Sequence, residues 1–157
     1  MLSNPNDYMN ILDIWQKPDL IIEYYHVEGN VTDIYNTILT QPILPLRYAQ
    51  VTYSDRLWYG IPSNEKYRKT AWLNRPEDMH LSLSQFIKLI DFKIQFLQTM
   101  YGPIENTFNT IIITSNLSLS SLYPQLLIYR EYSHILNWIV QYHVEKVDSD
   151  QPDPTRM

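Results

Sequence analysis

Thr110-Ile111-Ile112-Ile113-Thr114-Ser115-Asn116 passes from a continuous β-branched stretch into three short polar side chains. A strand of that composition suits the centre of a parallel sheet, buried on both faces. It delivers Thr114, Ser115 and Asn116 to the carboxyl edge of the sheet, where open α/β sheets bind ligands. An asparagine at that edge can orient a water beside a phosphate; a strand that ends in an ordinary turn fits the same residues. Lys66-Tyr67-Arg68-Lys69 is the basic and aromatic cluster of the chain, with cations for phosphates and a ring for stacking on a base. The alternative is a solvated strand edge. Thirteen tyrosines and four tryptophans offer further stacking surface, or fill a glycine-poor core with their polar tips outward. His26, His80, His134 and His143 lack the spacing of a metal site. No G-x-S-x-G or Ser/His/Asp order points to a nucleophile.

The elements that must position these residues follow from periodicity and punctuation. Tyr8, Met9, Ile11, Leu12 and Trp15 recur at helical spacing, so 5–17 reads as an entry helix ended before Pro18. Leu20–Tyr25 reads as a strand, His26–Asn30 as a polar turn and Val31–Leu39 as a helix. Strands follow at Arg47–Tyr53 and Tyr67–Leu73, separated by an aromatic loop, Leu57-Trp58-Tyr59-Gly60. Ser82 or Ser84 caps the clearest helix, whose apolar face is Phe86, Leu89, Ile90, Ile94 and Leu97. Gly102-Pro103 marks a turn between two short extended pieces. Ile135–Val144 has helical and strand readings, and its β-branched content favours strand. From Asp148 the tail is polar and is expected to fray. Strands alternating with helices imply an α/β fold with a central parallel sheet flanked by helices, as one domain over 1–147 and a flexible tail over 148–157.

Composition bounds the partners. A chain of 157 residues, 45% hydrophobic and 18% charged, is long enough for one packed core. Its net charge of −5 excludes a uniformly basic nucleic-acid clamp but leaves room for a local basic loop. Three glycines against ten prolines leave little backbone for a rich nucleotide cradle. The absence of cysteine removes disulfides, thiol nucleophiles and cysteine metal sites. No secretory signal or membrane-length apolar run is present, so an intracellular protein without a membrane partner is expected.

The order of motifs resembles the superfamily-three helicase domain, a P-loop ATPase, of Rep replication-associated proteins of circular single-stranded DNA viruses such as circoviruses. The similarity covers 18–140. It runs through Leu57-Trp58-Tyr59-Gly60, Lys69–Leu73, the helix Leu81–Asp91, Met100-Tyr101-Gly102, the strand ending Thr114-Ser115-Asn116, Leu122-Tyr123-Pro124 and Tyr129-Arg130. The resemblance implies a P-loop NTPase-like sheet, with the first strand between the third and the Thr-Ser-Asn strand. It also implies that Asn116 positions water, that Arg130 acts as an arginine finger on a neighbouring subunit, and that the chain is a piece of a longer Rep without its upstream nuclease domain.

The departures fall on the phosphate-gripping residues. A phosphate loop needs backbone amides around the phosphates, a lysine and a hydroxyl on magnesium. The matching segment is His26-Val27-Glu28-Gly29-Asn30-Val31-Thr32-Asp33, where Gly29 is in register, Thr32 is one residue displaced and the lysine is missing. The paired carboxylates expected after the third strand are replaced by Leu73-Asn74-Arg75, with Glu77 and Asp78 able to substitute only if the loop folds back. Gly29, Thr32, Asn74 and Asp78 are therefore the candidate cofactor-binding residues, Asn116 and Arg130 the candidate catalytic ones, and Lys66, Arg68, Lys69 and Tyr101 the candidate nucleic-acid contacts. The expected function is a degenerate helicase module that assembles or contacts nucleic acid without hydrolysis. Mg-ATP is its cofactor only if the site works, and self in a ring and single-stranded DNA are its candidate partners. An active helicase and an unrelated α/β protein-interaction module are the alternatives.

Overall fold

The computed structural model describes residues 16–17, 19–40 and 43–145; the expected entry helix and the tail from Asp148 lie outside these residues, apart from Gln16 and Lys17. The strands are β1 (Ile21–Val27), β2 (Ala49–Ser54), β3 (Leu57–Tyr59), β4 (Thr70–Asn74), β5 (Phe96–Thr99), β6 (Gly102–Glu105), β7 (Thr110–Ser115) and β8 (Ile139–Val144). The helices are α1 (Val31–Thr40), α2 (Leu83–Ile90), α3 (Leu119–Leu122), α4 (Gln125–Ile128) and α5 (Ser133–Trp138). They flank one eight-stranded sheet in the order β6-β5-β3-β2-β4-β7-β1-β8. From β2 to β8 every neighbouring pair is parallel. The expected α/β fold with a mostly parallel sheet is what forms, consistent with a P-loop-like architecture.

β1 lies between β7 and β8, with β4 on the far side of β7, rather than between β4 and β7 as the resemblance led us to expect. The side chains supply the reason. Ile111, Ile112 and Ile113 are all buried, so β7 needs strands on both sides and cover on both faces. On one face, Ile22 and Tyr24, Val51, Ala71 and Leu73, and Ile111 and Ile113 meet Phe86, Leu89 and Ile90 of α2 in the main core. On the other face Trp72 lies edge-on to Tyr35 of α1, with ring centroids 6.0 Å apart, and to Tyr48 at 5.7 Å.

Local departures from the sequence reading have local causes. α2 starts as expected, with the Ser82 hydroxyl accepting from the Gln85 N–H at 3.3 Å, but it ends at Ile90 rather than running to Leu97. Asp91 accepts from the Lys93 N–H at 3.1 Å and from the Gln95 amide at 2.9 Å, a side-chain turn that competes with helix continuation. Asn106 closes the helix end by donating to the carbonyls of Lys88 and Leu89, both at 2.8 Å. Leu97 is still fully buried, but from β5, because its position satisfies both the helical and the strand period. Leu57–Tyr59 is a strand of a tight hairpin with β2, its turn made by Asp55 and Arg56 at positive φ. Glu65–Tyr67 is a 3-10 turn and the strand begins only at Thr70, because Arg68 turns inward. Ile135–Val144 divides into helix to Trp138 and strand from Ile139: Ile135, Leu136 and Ile139 share a helical stripe against the core.

Candidate functional site at the carboxyl edge

The parallel strands β1, β2, β4, β7 and β8 deliver their ends to one edge. β7 brings Thr114, Ser115 and Asn116 there, beside Asn74 at the end of β4 and His26 at the end of β1, whose imidazole Nε2 lies 3.1 Å from the Asn116 carbonyl oxygen. After Asn74 the chain folds back. Arg75 takes a left-handed conformation, φ 58° and ψ 61°, ahead of Pro76, and a single 3-10 turn over Pro76–Asp78 follows. The Glu77 carboxylate is thereby laid over the end of β7. The Ser115 hydroxyl donates to Glu77 Oε1 at 2.7 Å, and the Asn116 N–H donates to Oε2 at 3.0 Å. The Leu117 N–H closes the loop on the Ser115 hydroxyl at 3.0 Å. A left-handed non-glycine residue costs roughly 1–2 kcal/mol, which two bonds to a carboxylate offset.

Of the cofactor candidates, Asn74 is engaged in the core, Asp78 is ion-paired, and Gly29 and Thr32 lie at the turn after β1. Asn74 is buried and its Oδ1 accepts from the Thr114 hydroxyl at 2.8 Å, which itself accepts from the Trp72 indole at 2.9 Å. Asp78 is exposed; its Oδ2 lies 3.0 Å from Arg75 Nε as an ion contact without hydrogen-bond alignment. Asp78 also lines a cleft of about 450 Å³ with Ser54, Asp55, Arg56, His80 and Ser82, beside the β2–β3 hairpin. Gly29, at φ 120°, makes the turn from β1 to α1, and Thr32 is exposed on the first turn of that helix. Between them and β1, Glu28 points its Oε1 at His143 Nε2, 2.7 Å away, and His143 stacks on His26 at 4.9 Å. Asn116 Oδ1 is buried and has no hydrogen-bond partner, an open acceptor facing this edge. Arg130 sits in an exposed 3-10 turn, Arg130–Tyr132, between α4 and α5.

These residues do not fit a magnesium triphosphate. Where a phosphate cradle needs donors and a lysine, the turn after β1 offers the Glu28 carboxylate, paired with His143. Each carboxylate within about 4 Å of a phosphate would cost on the order of 4 kcal/mol at an effective dielectric near 20. The His26–His143–Glu28 contact is the feature that sequence reasoning missed, whereas Glu77, expected at the site only if the loop after the strand folds back, is brought to the end of β7 by that fold-back. The signal for Glu77 was present: Ser115 and the Asn116 N–H need an acceptor, and a Pro-Glu pair follows the neighbouring strand. The β1–β8 contact had none, since it depends on which strands become neighbours.

The nucleic-acid candidates lie at the opposite, amino edge. β2 and β4 start there at Ala49 and Thr70, and β5 runs antiparallel to them, so its hairpin with β6 returns to the same edge. Tyr101 is 89% exposed at the tip of that hairpin. Lys66 and Lys69 are exposed and line a groove of about 630 Å³. Arg68, expected to face a nucleic acid, is instead 7% exposed. Its guanidinium donates to the carbonyls of Pro62 and Ser63 at 2.8 and 2.9 Å and to the Thr107 hydroxyl at 3.1 Å. The 3-10 turn over Glu65–Tyr67 leaves Lys66 and Lys69 exposed and brings Arg68 inside, onto those carbonyls. Among the described residues no helix is long and apolar enough to cross a membrane, and no group of three His, Cys, Asp or Glu is placed to hold a metal ion. No protein-family model and no curated protein matches the sequence.

Proposed function

We propose that this chain is a helicase-like α/β module of the Rep type whose nucleotide site does not hydrolyse ATP, and which serves in assembly or in contact with nucleic acid. One observation carries the reading: the Glu77 carboxylate, the residue nearest to a magnesium-binding role, is fastened to Ser115 and to the Asn116 N–H. With both oxygens occupied by donors, it acts as a structural clamp on the end of β7 rather than as a metal ligand. The missing lysine and the Glu28–His143 pair at the turn after β1 point the same way. What survives of the family's site, Asn116 and Arg130, then works at surfaces rather than on a reacting phosphate.

The test is phosphate release by the purified chain with Mg-ATP, with and without single-stranded DNA, over hours. The reading expects no release above that of a sample carrying Asn116→Ala. Turnover abolished by Asn116→Ala would overturn it. A second reading, an active ATP-dependent helicase of the same type, is favoured by one feature, the unpartnered Asn116 Oδ1 at the sheet edge. The same assay separates the two.

A further inference from the structure

The amino edge of the sheet carries a large groove whose lining is basic and aromatic and holds no carboxylate. Its walls are Pro45–Ala49, leading into β2, and Pro62 with Lys66, Tyr67, Lys69 and Thr70, leading into β4. Arg47, Lys66 and Lys69 bring three cations to about 630 Å³, within the range of ligand-binding clefts. This concentration occurs on a chain of net charge −5, so the residues outside the groove carry a net negative charge and the groove is a local exception. Tyr48 and Tyr67 are 45% and 54% exposed, presenting rings beside those cations. The walls are fixed before any ligand arrives. Tyr48 is held edge-on by Trp72, and the Pro62–Ser63 segment is tied down by the buried Arg68 guanidinium.

We infer that this groove binds single-stranded nucleic acid, with Arg47, Lys66 and Lys69 on successive phosphates and a base stacked on Tyr67. Cations tracking a backbone next to accessible aromatic faces are the two parts such a site requires. A folded duplex would present its bases only at groove edges and leave the tyrosine rings unused. The inference deepens the nucleic-acid-contacting role proposed above, and places that contact on the edge of the sheet opposite to Asn116. Arg68, drawn inward, is a positioning residue: it sets the wall from which Lys66 and Lys69 project.

Fluorescence anisotropy of the full chain with a labelled oligonucleotide of about ten residues, as DNA and as RNA, tests this across a salt series. We expect binding to either single strand and little to duplex, the tighter arm naming the natural sugar. The Lys66→Glu, Lys69→Glu double variant should weaken binding at least about tenfold and reduce the slope of log affinity against log salt by roughly 1.4. Tyr67→Ala should weaken it by about five- to a hundredfold, the range for loss of one stacked base. Lys93→Glu, exposed and outside the groove, should leave it unchanged. All four positions are exposed, so thermal melts should confirm that each variant folds. Binding that the groove variants leave intact would overturn the site while sparing the nucleic-acid-contacting role. No binding by the unaltered chain would overturn both, and polyglutamate competing as well as the oligonucleotide would show a site for anionic chains in general.

Discussion

Glu77 decides how the carboxyl edge behaves, because two strand ends meet on its carboxylate. Removing it in Glu77→Ala strands the Ser115 hydroxyl and the Asn116 N–H, and should lower unfolding free energy by about 1–3 kcal/mol, read by urea melts. Glu77→Gln keeps the shape but turns an amide toward one of the two donors, so it should fall between. A metal ligand would behave differently: without the metal its removal would relieve repulsion with the neighbouring Asp78 and leave stability unchanged or improved. The buried relay from Trp72 through Thr114 to Asn74 makes a parallel prediction. Thr114→Val preserves volume but leaves the indole N–H and the Asn74 oxygen unmet, which should cost about 2–6 kcal/mol, each unmet group contributing roughly 1–3 kcal/mol. At this scale the sequence was a good guide to which residues reach the edge. Ser115 and Asn116 are there because an isoleucine run can only be an inner strand. It was a poor guide to what those residues touch, since Glu77 reaches them only through the left-handed turn at Arg75.

Among the elements, the inner strands were legible because burial on both faces leaves a continuous apolar run, as in Ile111–Ile113. The peripheral pieces were not. Leu97 fits a helix and a strand equally well, and the outcome was set by the Asp91 turn and the Asn106 cap, neither of which changes the apolar period. Tyr67–Leu73 reads as one strand in the sequence, yet Arg68 spends its charge on carbonyls five and six residues upstream and the strand begins only at Thr70. The turn after β3 gives a sharp element-scale prediction. At Gly60, φ is +83° and an added Cβ would stand 2.1 Å from the Gln50 carbonyl oxygen on the neighbouring strand. Gly60→Ala should therefore destabilise by more than about 3 kcal/mol, strain and collision together. Gly102 has φ +102° but open space around its Cβ position, so Gly102→Ala should cost about 1–3 kcal/mol, backbone strain alone. Comparing the two melting temperatures separates collision from backbone strain.

For the whole molecule, two edges of one sheet carry opposite chemistry: acceptors and carboxylates where the parallel strands end, cations and rings where β2 and β4 begin. Stability against pH provides a global check on the packing. Burial lowers the Lys17 pKa from 10.5 to about 8, against a smaller opposing pull from Asp91. The unfolded chain then holds more protons than the folded one between those values, so stability should rise as pH climbs through that window. Burial raises Tyr24 and Tyr123 above their ordinary 10.0, so the folded chain keeps protons that the unfolded chain releases. Above about pH 10 that effect should bend the curve downward. Urea melts from pH 7 to 11 should show a maximum near pH 10, and Lys17→Met should flatten its rising limb.

Calorimetric titration of the chain with Mg-ATP and a non-hydrolysable analogue tests the proposal that the carboxyl edge does not grip a triphosphate. We expect no heat of binding at millimolar nucleotide. Micromolar binding, lost on Asn116→Ala or Arg130→Ala, would contradict it and return Asn116 to a catalytic role.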